Sequence, residues 1–403
     1  MARSVVQLSG HIVDSLILPK VLDLIVNLGA EFEILDIQIG QRRADRSAAR
    51  ILIEAPSAEI LETILAKIKE HGALPLDEEE SVQVEPAPQD GVFPEGFYAT
   101  TNLNTLVRFH NQWLEVQPPE MDCGIRVDPA AMRAETVPIH KVKKGDLIVI
   151  GHRGVKILPI ERRVPREVFE FMSSPVSSEK PKGLLIQEIA ESMKKVRQES
   201  GKILVVAGPS LVHTGASEYL VEMIEKGYVQ ILFAGNGLAV HDIEAALYGT
   251  SLGVYLDKKI RSTEGHEHHL WAINQIRKAG GIRQAVEQGL LSRGIFYTCV
   301  QKGVEFVLAG SIRDDGPLPD VVTDTLEAQD LTREKIRGVG LVLMMATTLH
   351  AIATGNLLPA TVKTVCVDIN PAVVTKLADR GTFHAMGIVT DVEPFLRELC
   401  QYL

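Results

Sequence analysis

The sequence predicts an α/β protein that ends in a doubly wound parallel sheet, preceded by a βαββαβ ferredoxin-like module and a small β subdomain. From Gly183 onward, near-continuous Val, Ile and Leu runs of strand length alternate with helical periods, which is typical of parallel strands buried on both faces. The first ninety residues instead show the order β-α-β-β-α-β. With 403 residues, the chain can hold two or three domains of roughly 100–200 residues each.

The first module is predicted over residues 1–88. Its helices are expected over Ser15–Asn27, which ends at Gly29, and after a capping Ser57, with Gly72 at the C-terminal end. A split βαβ unit of this size is typical of ligand sensing or of an interface more than of catalysis. Period-two alternation predicts its four strands at Arg3–Ser9, Glu31–Ile39, Ala48–Glu54 and Ser81–Glu85.

A small β-rich subdomain is predicted next, over residues 89–165, after the Pro-containing linker Glu85–Gly91. The Pro- and Ser-containing stretch Arg163–Lys182 then predicts the boundary to a C-terminal domain at 183–403. The brief, turn-bounded strands expected in the subdomain are Phe97–Thr100, Thr105–Phe109, Gln112–Gln117, Cys123–Val127 and Leu147–Ile150.

Composition excludes several classes of protein. Lys and Arg total 42 against 52 Asp and Glu, a net charge of -10, which is the reverse of a nucleic-acid-binding footprint. No apolar run reaches the roughly 20 residues that cross a bilayer, and the N-terminus lacks the apolar core of a signal peptide. The cysteines are too scattered for a CxxC motif, so free thiols in a reducing, cytoplasmic compartment are expected: Cys123, Cys299, Cys366 and Cys400.

Polar and small residues follow the strands expected in the C-terminal domain, and ligands of open α/β sheets bind at the carboxyl ends of strands. Tight turns alone also require Gly and Asn, but several such loops together favour a dinucleotide or similar ligand. No GxGxxG fingerprint is present, so a nicotinamide cofactor would bind in a variant mode. The strands expected here are Lys202–Ala207, Val229–Ala234, Glu305–Ala309 and Thr364–Ile369, with helices at Ala216–Lys226 and Val240–Tyr248.

Six stretches closely resemble the LOR/SDH-domain family, which includes archaeal-type ornithine cyclodeaminases and the C-terminal half of the cyanobacterial arginine dihydrolase/ornithine cyclodeaminase. The resemblance covers nearly the whole chain but not the arginine dihydrolase domain, so deamination of arginine is not expected. The stretches are Phe97–Asn102, Glu120–Cys123, Phe233–Glu244, His268–Asn274, Gly310–Pro319 and Val367–Pro371.

The resemblance implies an NAD-binding domain similar to that of deoxyhypusine synthase, and a homo-oligomer, either a tetramer or a dimer. Asp368, Asp314 or Asp315 at the strand ends could bind ribose hydroxyls. The expected cofactor contacts are Gly208, Ser210, His213, Thr214, Asn236, Gly237, Ser311, Asp314, Asp315, Asp368 and Asn370.

The implied activity is an ammonia-lyase reaction that converts L-ornithine to L-proline and ammonia. NAD would take a hydride from Cα, the δ-amine would cyclise onto that carbon with loss of ammonia, and the hydride would return. His241 and Asp242 are the first candidates for proton transfer, because they follow a strand-end glycine loop. The alternative is that His241 is a solvated loop residue and Asp242 merely caps the helix that follows.

Substrate contacts are expected in the middle of the chain. Glu120 and Asp122, with Cys123 beside them, supply negative charge for the δ-ammonium, and the alternative is that they are solvated residues of a short β segment. Arg108 could bind the α-carboxylate in a bidentate manner, and so could Asn102 with Thr100 and Thr101.

No metal is expected, because the His266–His269 run has the wrong spacing for HExxH and lacks a second group of ligands. Two other functions stay open. One is a different NAD(P)-dependent amino-acid oxidoreductase of the lysine or saccharopine type. The other is a non-catalytic NAD-binding protein that senses an amino acid through its N-terminal module.

Overall fold

The computed structural model describes residues 2–10, 12–13, 16–40, 45, 47–69, 71–75, 81–158, 182–252, 254–255, 267–314, 316–379 and 385–403. The chain forms two compact units. The first comprises residues 1–168 with 359–361, and the second comprises residues 169–358 with 362–403. Among the described helices, none is long and apolar enough to cross a membrane. Of the predicted boundary at Arg163–Lys182, only Lys182 lies within the described residues, as the first residue of a helix.

The first unit begins with an antiparallel sheet covered by two helices. Val6 pairs with Ile51 across the sheet, and both side chains are buried against Ile25 and Ile64 of the helices. The Ser57 hydroxyl accepts a hydrogen bond from Ile60 N at 3.2 Å and so caps the second helix, as predicted. The elements are β1 Ala2–Gly10, α1 Ile17–Asn27, β2 Glu31–Gln38, β3 Ser47–Ala55, α2 Ala58–Lys69 and β4 Leu74–Pro75, in the sheet order β2-β3-β1-β4.

The last strand of this module differs from the prediction. Leu74–Pro75, not Ser81–Glu85, pairs with β1. The predicted segment lies largely within β5, Gln83–Pro86, which pairs antiparallel with β10, Leu147–Ile150, in the next sheet. Periodicity identifies a strand but not the sheet that supplies its hydrogen-bond partners, so a boundary at residue 88 cuts through this second sheet.

Two small antiparallel sheets complete the first unit around a core that includes Val107, Ile125 and Val149. The predicted strand Phe97–Thr100 is reduced to one bridge between Phe97 and Ile150. Two strands were not predicted, β9 and β11. The further elements are β6 Asn104–Phe109, β7 Gln112–Glu115, β8 Gly124–Asp128, β9 Arg133–Val137 and β11 Val155–Leu158, in the orders β5-β10-β8-β9 and β11-β6-β7.

The second unit is built on a seven-stranded sheet in which every neighbouring pair is parallel. Its strands are β12 Lys202–Ala207, β13 Ile231–Gly235, β16 Glu305–Ala309, β17 Val321–Val322, β18 Val339–Met345, β19 Lys363–Asp368 and β20 Ala385–Val389. The order is β17-β16-β13-β12-β18-β19-β20, so the chain starts in the middle and moves to one side and then to the other. This doubly wound arrangement has Rossmann-type order.

Alternate residues of the central strands enter separate cores. Val205 and Leu343 pack on one side of the sheet, whereas Val206 and Met344 pack on the other. A short hairpin joins β14 Thr250–Ser251 to β15 Val254–Tyr255. The helices are α3 Lys182–Gln198, α4 Ser210–His213, α5 Ser217–Glu225, α6 Asn236–Tyr248, α7 His268–Ala279, α8 Ile282–Glu287, α9 Ile295–Lys302, α10 Thr325–Lys335, α11 Leu349–Leu357, α12 Pro371–Asp379 and α13 Val392–Tyr402.

Residues 359–361, between α11 and β19, belong to the first unit. Ala360 packs with Leu103 and Ile157, and its N–H donates to the carbonyl oxygen of Asn102 at 2.9 Å. The first unit is therefore assembled from two segments that lie far apart in the sequence.

Candidate functional site

The order of the parallel sheet reverses between β12 and β18, and ligands of such sheets bind in the crevice outside the strands at this reversal. The loops after the two strands touch there. The N–H of Gly208 donates to the carbonyl oxygen of Met345 at 2.9 Å. A β-carbon at Gly208 would overlap the carbonyl oxygen of Ala346. Close packing of two loops therefore requires this predicted glycine.

A histidine that sequence reasoning missed lies at the same edge. His350, on the first turn of α11, approaches Gly235 at the end of β13, where a β-carbon would lie 2.8 Å from its Cε1. Burial lowers the pKa of His350. Identification of β18 as a strand would have drawn attention to the loop that follows it.

Helix α6 begins directly at the end of β13, and its first turn is the best candidate for holding an anionic ligand. The Asn236 side chain is buried, and its Oδ1 accepts a hydrogen bond from Leu318 N at 3.1 Å. Gly237 is different, because a β-carbon there would meet only the Pro209 ring, at 3.9 Å or more. Packing within the chain does not require glycine at 237, because a β-carbon would make only ordinary van der Waals contact, and the residue lies at a helix N-terminus.

The other predicted cofactor residues form local loop structures at the same edge of the sheet. Asp314 accepts hydrogen bonds from Ser311 N at 2.9 Å and from Ser311 Oγ at 3.3 Å. The buried Asp368 accepts from Asn370 N at 2.8 Å, and Asn370 Oδ1 accepts from Ala372 N at the start of α12. Asp315 lies outside the described residues.

Imidazoles of two helices meet beside this edge. The rings of His213, at the end of α4, and His241, on α6, are 4.8 Å apart. Burial, followed by the effect of His241, lowers the pKa of His213 to about 4. The helix α4 also contains the predicted Ser210, whose carbonyl oxygen accepts from Thr214 Oγ1 at 2.9 Å.

A buried glutamate that was not predicted organises these rings. Glu244 lies one turn beyond His241, is fully buried, and places Oε2 3.0 Å from His241 Nδ1. Thr250 Oγ1 donates to Glu244 Oε1 at 2.9 Å and lies 2.8 Å from His268 Nδ1. We call these four residues, together with His213 and Ser251, whose Oγ lies 2.6 Å from His213 Nδ1, the imidazole cluster.

Asp242 has a different environment from its neighbour His241. Its carboxylate accepts hydrogen bonds from Ile295 N at 2.9 Å and Phe296 N at 3.0 Å, the first two N–H groups of α9. Burial raises the pKa of Asp242 to about 6, and the two backbone donors oppose the shift. Because α6 starts at Asn236, Asp242 lies inside that helix and caps α9, not the following residues of its own helix.

The substrate residues predicted in the first unit are brought together by Thr100. Its hydroxyl donates to the carbonyl oxygen of Glu120 at 2.6 Å and accepts from Cys123 N at 3.1 Å. The N–H of Asp122 donates to the carbonyl oxygen of Thr100 at 3.1 Å, and Asp122 adopts a positive φ of 61°. Glu120 and Asn102 are both buried, so the alternative of solvated residues does not hold for Glu120.

Arg108 and Thr101 take no part in the Thr100 hydrogen bonds described above. The neighbours of Arg108 on β6, Val107 and Phe109, are buried, so Arg108 lies on the opposite face, across from Trp113 of β7. Its Nε is buried without a hydrogen-bond partner among the residues that the structure describes. A guanidinium N–H in this state suits an anionic oxygen. Thr101 Oγ1 accepts from Leu103 N at 3.3 Å.

The described part of the chain contains no metal cluster, and burial keeps three of the four cysteine thiols protonated. No group of three or more His, Cys, Asp or Glu side chains there could hold a metal ion, although His266 lies outside the described residues. All four cysteines are buried free thiols, as predicted. Burial raises the pKa of Cys299, Cys366 and Cys400 to about 12, which makes their thiolates inaccessible near neutral pH.

Comparison with known families accounts for nearly the whole chain. Residues 3–103 match the LOR/SDH bifunctional enzyme conserved region. Residues 104–186 match the first region of the C-terminal part of ArgZ-like arginine dihydrolases, and residues 187–399 match the Rossmann fold of that part.

Relatives named ornithine cyclodeaminase align over the full length. The protein of Methanopyrus kandleri is 54% identical over 100% of this chain and 97% of its own. That of Methanocaldococcus jannaschii is 52% identical over 99% of this chain and 95% of its own. The bifunctional arginine dihydrolase/ornithine cyclodeaminase AgrE of Nostoc is 42% identical, and the alignment covers 99% of this chain but only 58% of AgrE.

Solved structures agree with these relationships. Apo ArgZ, an arginine dihydrolase from cyanobacteria, superposes with a TM-score of 0.86 at 39% identity, over 100% of this chain and 58% of ArgZ. The ternary complex of AgrE with ornithine and NAD⁺ superposes with a TM-score of 0.54 at 40% identity, over 100% of this chain and 57% of AgrE. The chain therefore belongs to the ornithine cyclodeaminase family that has an ArgZ-like C-terminal Rossmann domain.

Proposed function

We propose that this protein is an NAD-dependent ornithine cyclodeaminase that converts L-ornithine to L-proline and ammonia. The observation that carries the proposal is the alignment of the whole chain with proteins of that name at up to 54% identity. The crystal structure of AgrE with ornithine and NAD⁺, related at 40% identity over the same full length, supports the choice of substrate and cofactor.

The residues at the carboxyl edge of the parallel sheet fit a dinucleotide. Gly237 lies in the first turn of α6, and a helix N-terminus suits a phosphate group. Asp368, at the end of β19, is an acidic group of the kind that binds ribose hydroxyls. We propose that Ser210, Ser311 and the remaining predicted strand-end residues complete this site. When bound, NAD supplies reversible two-electron oxidation at the substrate α-carbon.

Within the second unit, we propose His241 as the group that moves protons. Its Nδ1 is engaged by Glu244, and the carboxylate of Asp242 is engaged by α9. An imidazole held through Nδ1 in this way leaves its other ring nitrogen free to exchange a proton with a ligand. We assign Asp242 to the stability of the fold, because its buried carboxylate caps α9 through two backbone N–H donors.

Within the first unit, we propose the loop held by Thr100 as the source of substrate contacts. Glu120 provides buried negative charge of the kind that selects an ammonium group. Asn102, Thr101 and the buried Nε of Arg108 are hydrogen-bonding groups suited to a carboxylate. Asp122 and Cys123 are held in the same loop through their backbone N–H groups, so we propose that they shape it.

The test is to incubate the purified protein with ornithine and a substoichiometric amount of NAD, and to measure proline and ammonia. We expect equal amounts of both products over many turnovers per NAD, without accumulation of NADH. Unchanged ornithine would overturn the proposal. NADH that accumulates in proportion to consumed substrate would instead indicate a net oxidoreductase, which is the other enzymatic hypothesis.

We also propose a homo-oligomer in a reducing, cytoplasmic setting. The edge strand β2 exposes aliphatic side chains that a monomer would leave in water, Ile34, Leu35 and Ile37. The four free cysteines support a reducing compartment. Light scattering coupled to size-exclusion chromatography tests the assembly, and a mass near 44.2 kDa would overturn it.

A further inference from the structure

The direction of the hydrogen bonds around Glu244 determines which ring nitrogen of His241 carries a proton. Leu252 N donates to Glu244 Oε2 at 3.2 Å, and Thr250 Oγ1 donates to Oε1 at 2.9 Å. In both hydrogen bonds the carboxylate of Glu244 is the acceptor. An ionised Glu244 can only accept, so His241 Nδ1, 3.0 Å from Oε2, is then the donor and carries the ring proton.

We propose that Glu244 is a positioning residue that fixes His241 as the Nδ1–H tautomer and so leaves Nε2 as the proton acceptor. This inference rests on the proposed function and adds to it a residue that acts through His241. A carboxylate that orients an imidazole through Nδ1 is a general way of preparing Nε2 as a base. The spacing of three residues on α6 places both side chains on one face of the helix.

The same logic extends one step further along the cluster. A threonine hydroxyl has a single proton, and that of Thr250 is donated to Glu244. Thr250 Oγ1 must therefore accept from His268 Nδ1, 2.8 Å away. His268 is buried and stacks on Tyr248, with ring centroids 5.1 Å apart. The hairpin residue Thr250 thus links two histidines through Glu244, and both carry their proton on Nδ1.

Burial makes this arrangement specific. Glu244 and Thr250 are fully buried, and the His241 side chain is 13% exposed. An acceptor in such surroundings holds its donors more strongly than it would in water, because water cannot replace them. The ring of His241 is therefore held in one orientation before any substrate arrives.

The experiment uses the full-length protein labelled with ¹⁵N at histidine. Long-range ¹H–¹⁵N spectra identify which nitrogen of each ring is protonated. In the wild type we expect Nδ1–H for His241 and His268. In Glu244→Gln the amide can donate to His241 Nδ1, so we expect its proton to move to Nε2. The proline-forming kcat should then fall about 10²–10⁴-fold, the usual contribution of a general base, while KM for ornithine changes less than about threefold.

Thr250→Val is the matched control. It should release the tautomer of His268 while that of His241 is retained, because Leu252 N still donates to Glu244. The proposal is overturned if His241 carries its proton on Nε2 in the wild type, or if Glu244→Gln changes neither the tautomer nor kcat. The spectra need no turnover, so a wild type that forms no proline contradicts the proposed function and leaves the spectra to decide the tautomer.

Discussion

Two faces of helix α6 hold buried carboxylates in contrasting ways. On one face, Asp242 accepts from two backbone N–H groups of α9. On the other face, Glu244 accepts from the Thr250 hydroxyl and meets the imidazole of His241. Backbone donors are fixed by the fold, whereas hydroxyl and imidazole partners can exchange protons. The partners of a buried acid, more than its burial, thus separate a structural role from a chemical one.

The largest effect of a substitution is expected at His241, on the same face of α6 as Glu244. His241→Gln removes the proposed proton acceptor, so we expect the rate of proline formation to fall about 10²–10⁴-fold. Binding of NAD and the thermal midpoint should change little, because the glutamine amide can donate to Glu244 in place of the imidazole. Rates near the wild-type value would contradict the assignment.

A substitution on the Asp242 face of α6 should change the stability of the protein. In Asp242→Asn the amide replaces one acceptor with a donor that faces an N–H group, so we expect a loss of about 1–3 kcal/mol in the free energy of unfolding. Urea titration measures it. Below the unfolding transition, the folded fraction should retain turnover. An inactive variant of unchanged stability would reverse the roles of the two faces.

Two glycines at the sheet edge are expected to differ in role, one being required for packing and the other for ligand binding. Gly208→Ala collides with the carbonyl of Ala346, and overpacking of this kind costs about 1–3 kcal/mol. Gly237→Ala meets no such obstacle and gains up to about 1 kcal/mol of helix propensity. If the space beside Gly237 receives a phosphate group, the second variant should be at least as stable as the wild type but bind NAD more weakly in calorimetry.

The smallest effect concerns pH. The pKa of His213 is about 4 in the folded protein and 6.5 in the unfolded chain, so between these values only the unfolded chain binds the proton. Stability should therefore fall as pH decreases from about 6.5 to 4. Asp242, with a raised pKa of about 6, opposes this trend between pH 3.8 and 6.

His213→Gln isolates the contribution. The loss of unfolding free energy between pH 7 and pH 4.5 should be smaller in the variant than in the wild type, as measured by urea titration at each pH. An equal loss in both proteins would mean that His213 is not desolvated.

Much of the fold is encoded in local patterns. The strands Lys202–Ala207 and Glu305–Ala309 begin and end in the structure where the pattern predicts, because buried parallel strands are uninterrupted aliphatic runs. The central strand β18, Val339–Met345, is equally apolar but is not among the predicted strands. The pairing of Gln83–Pro86 with Leu147–Ile150 depends on distant residues and leaves no local signal.

The candidate site was predicted less completely. His241 and the strand-end loops could be recognised from their position after strands. Glu244 could not, because a glutamate inside a helix resembles a solvated residue until Thr250 and Leu252 are known to approach it. The capping role of Asp242 likewise depends on a hydrogen bond from Ile295 N, fifty-three positions away in the chain.

The three residues at 359–361 have a consequence for biosynthesis. The N–H of Ala360 donates to the backbone of Asn102, so the first unit cannot be completed during synthesis before residues 359–361 have left the ribosome. Maturation of the loop around Asn102 is therefore tied to synthesis of most of the second unit.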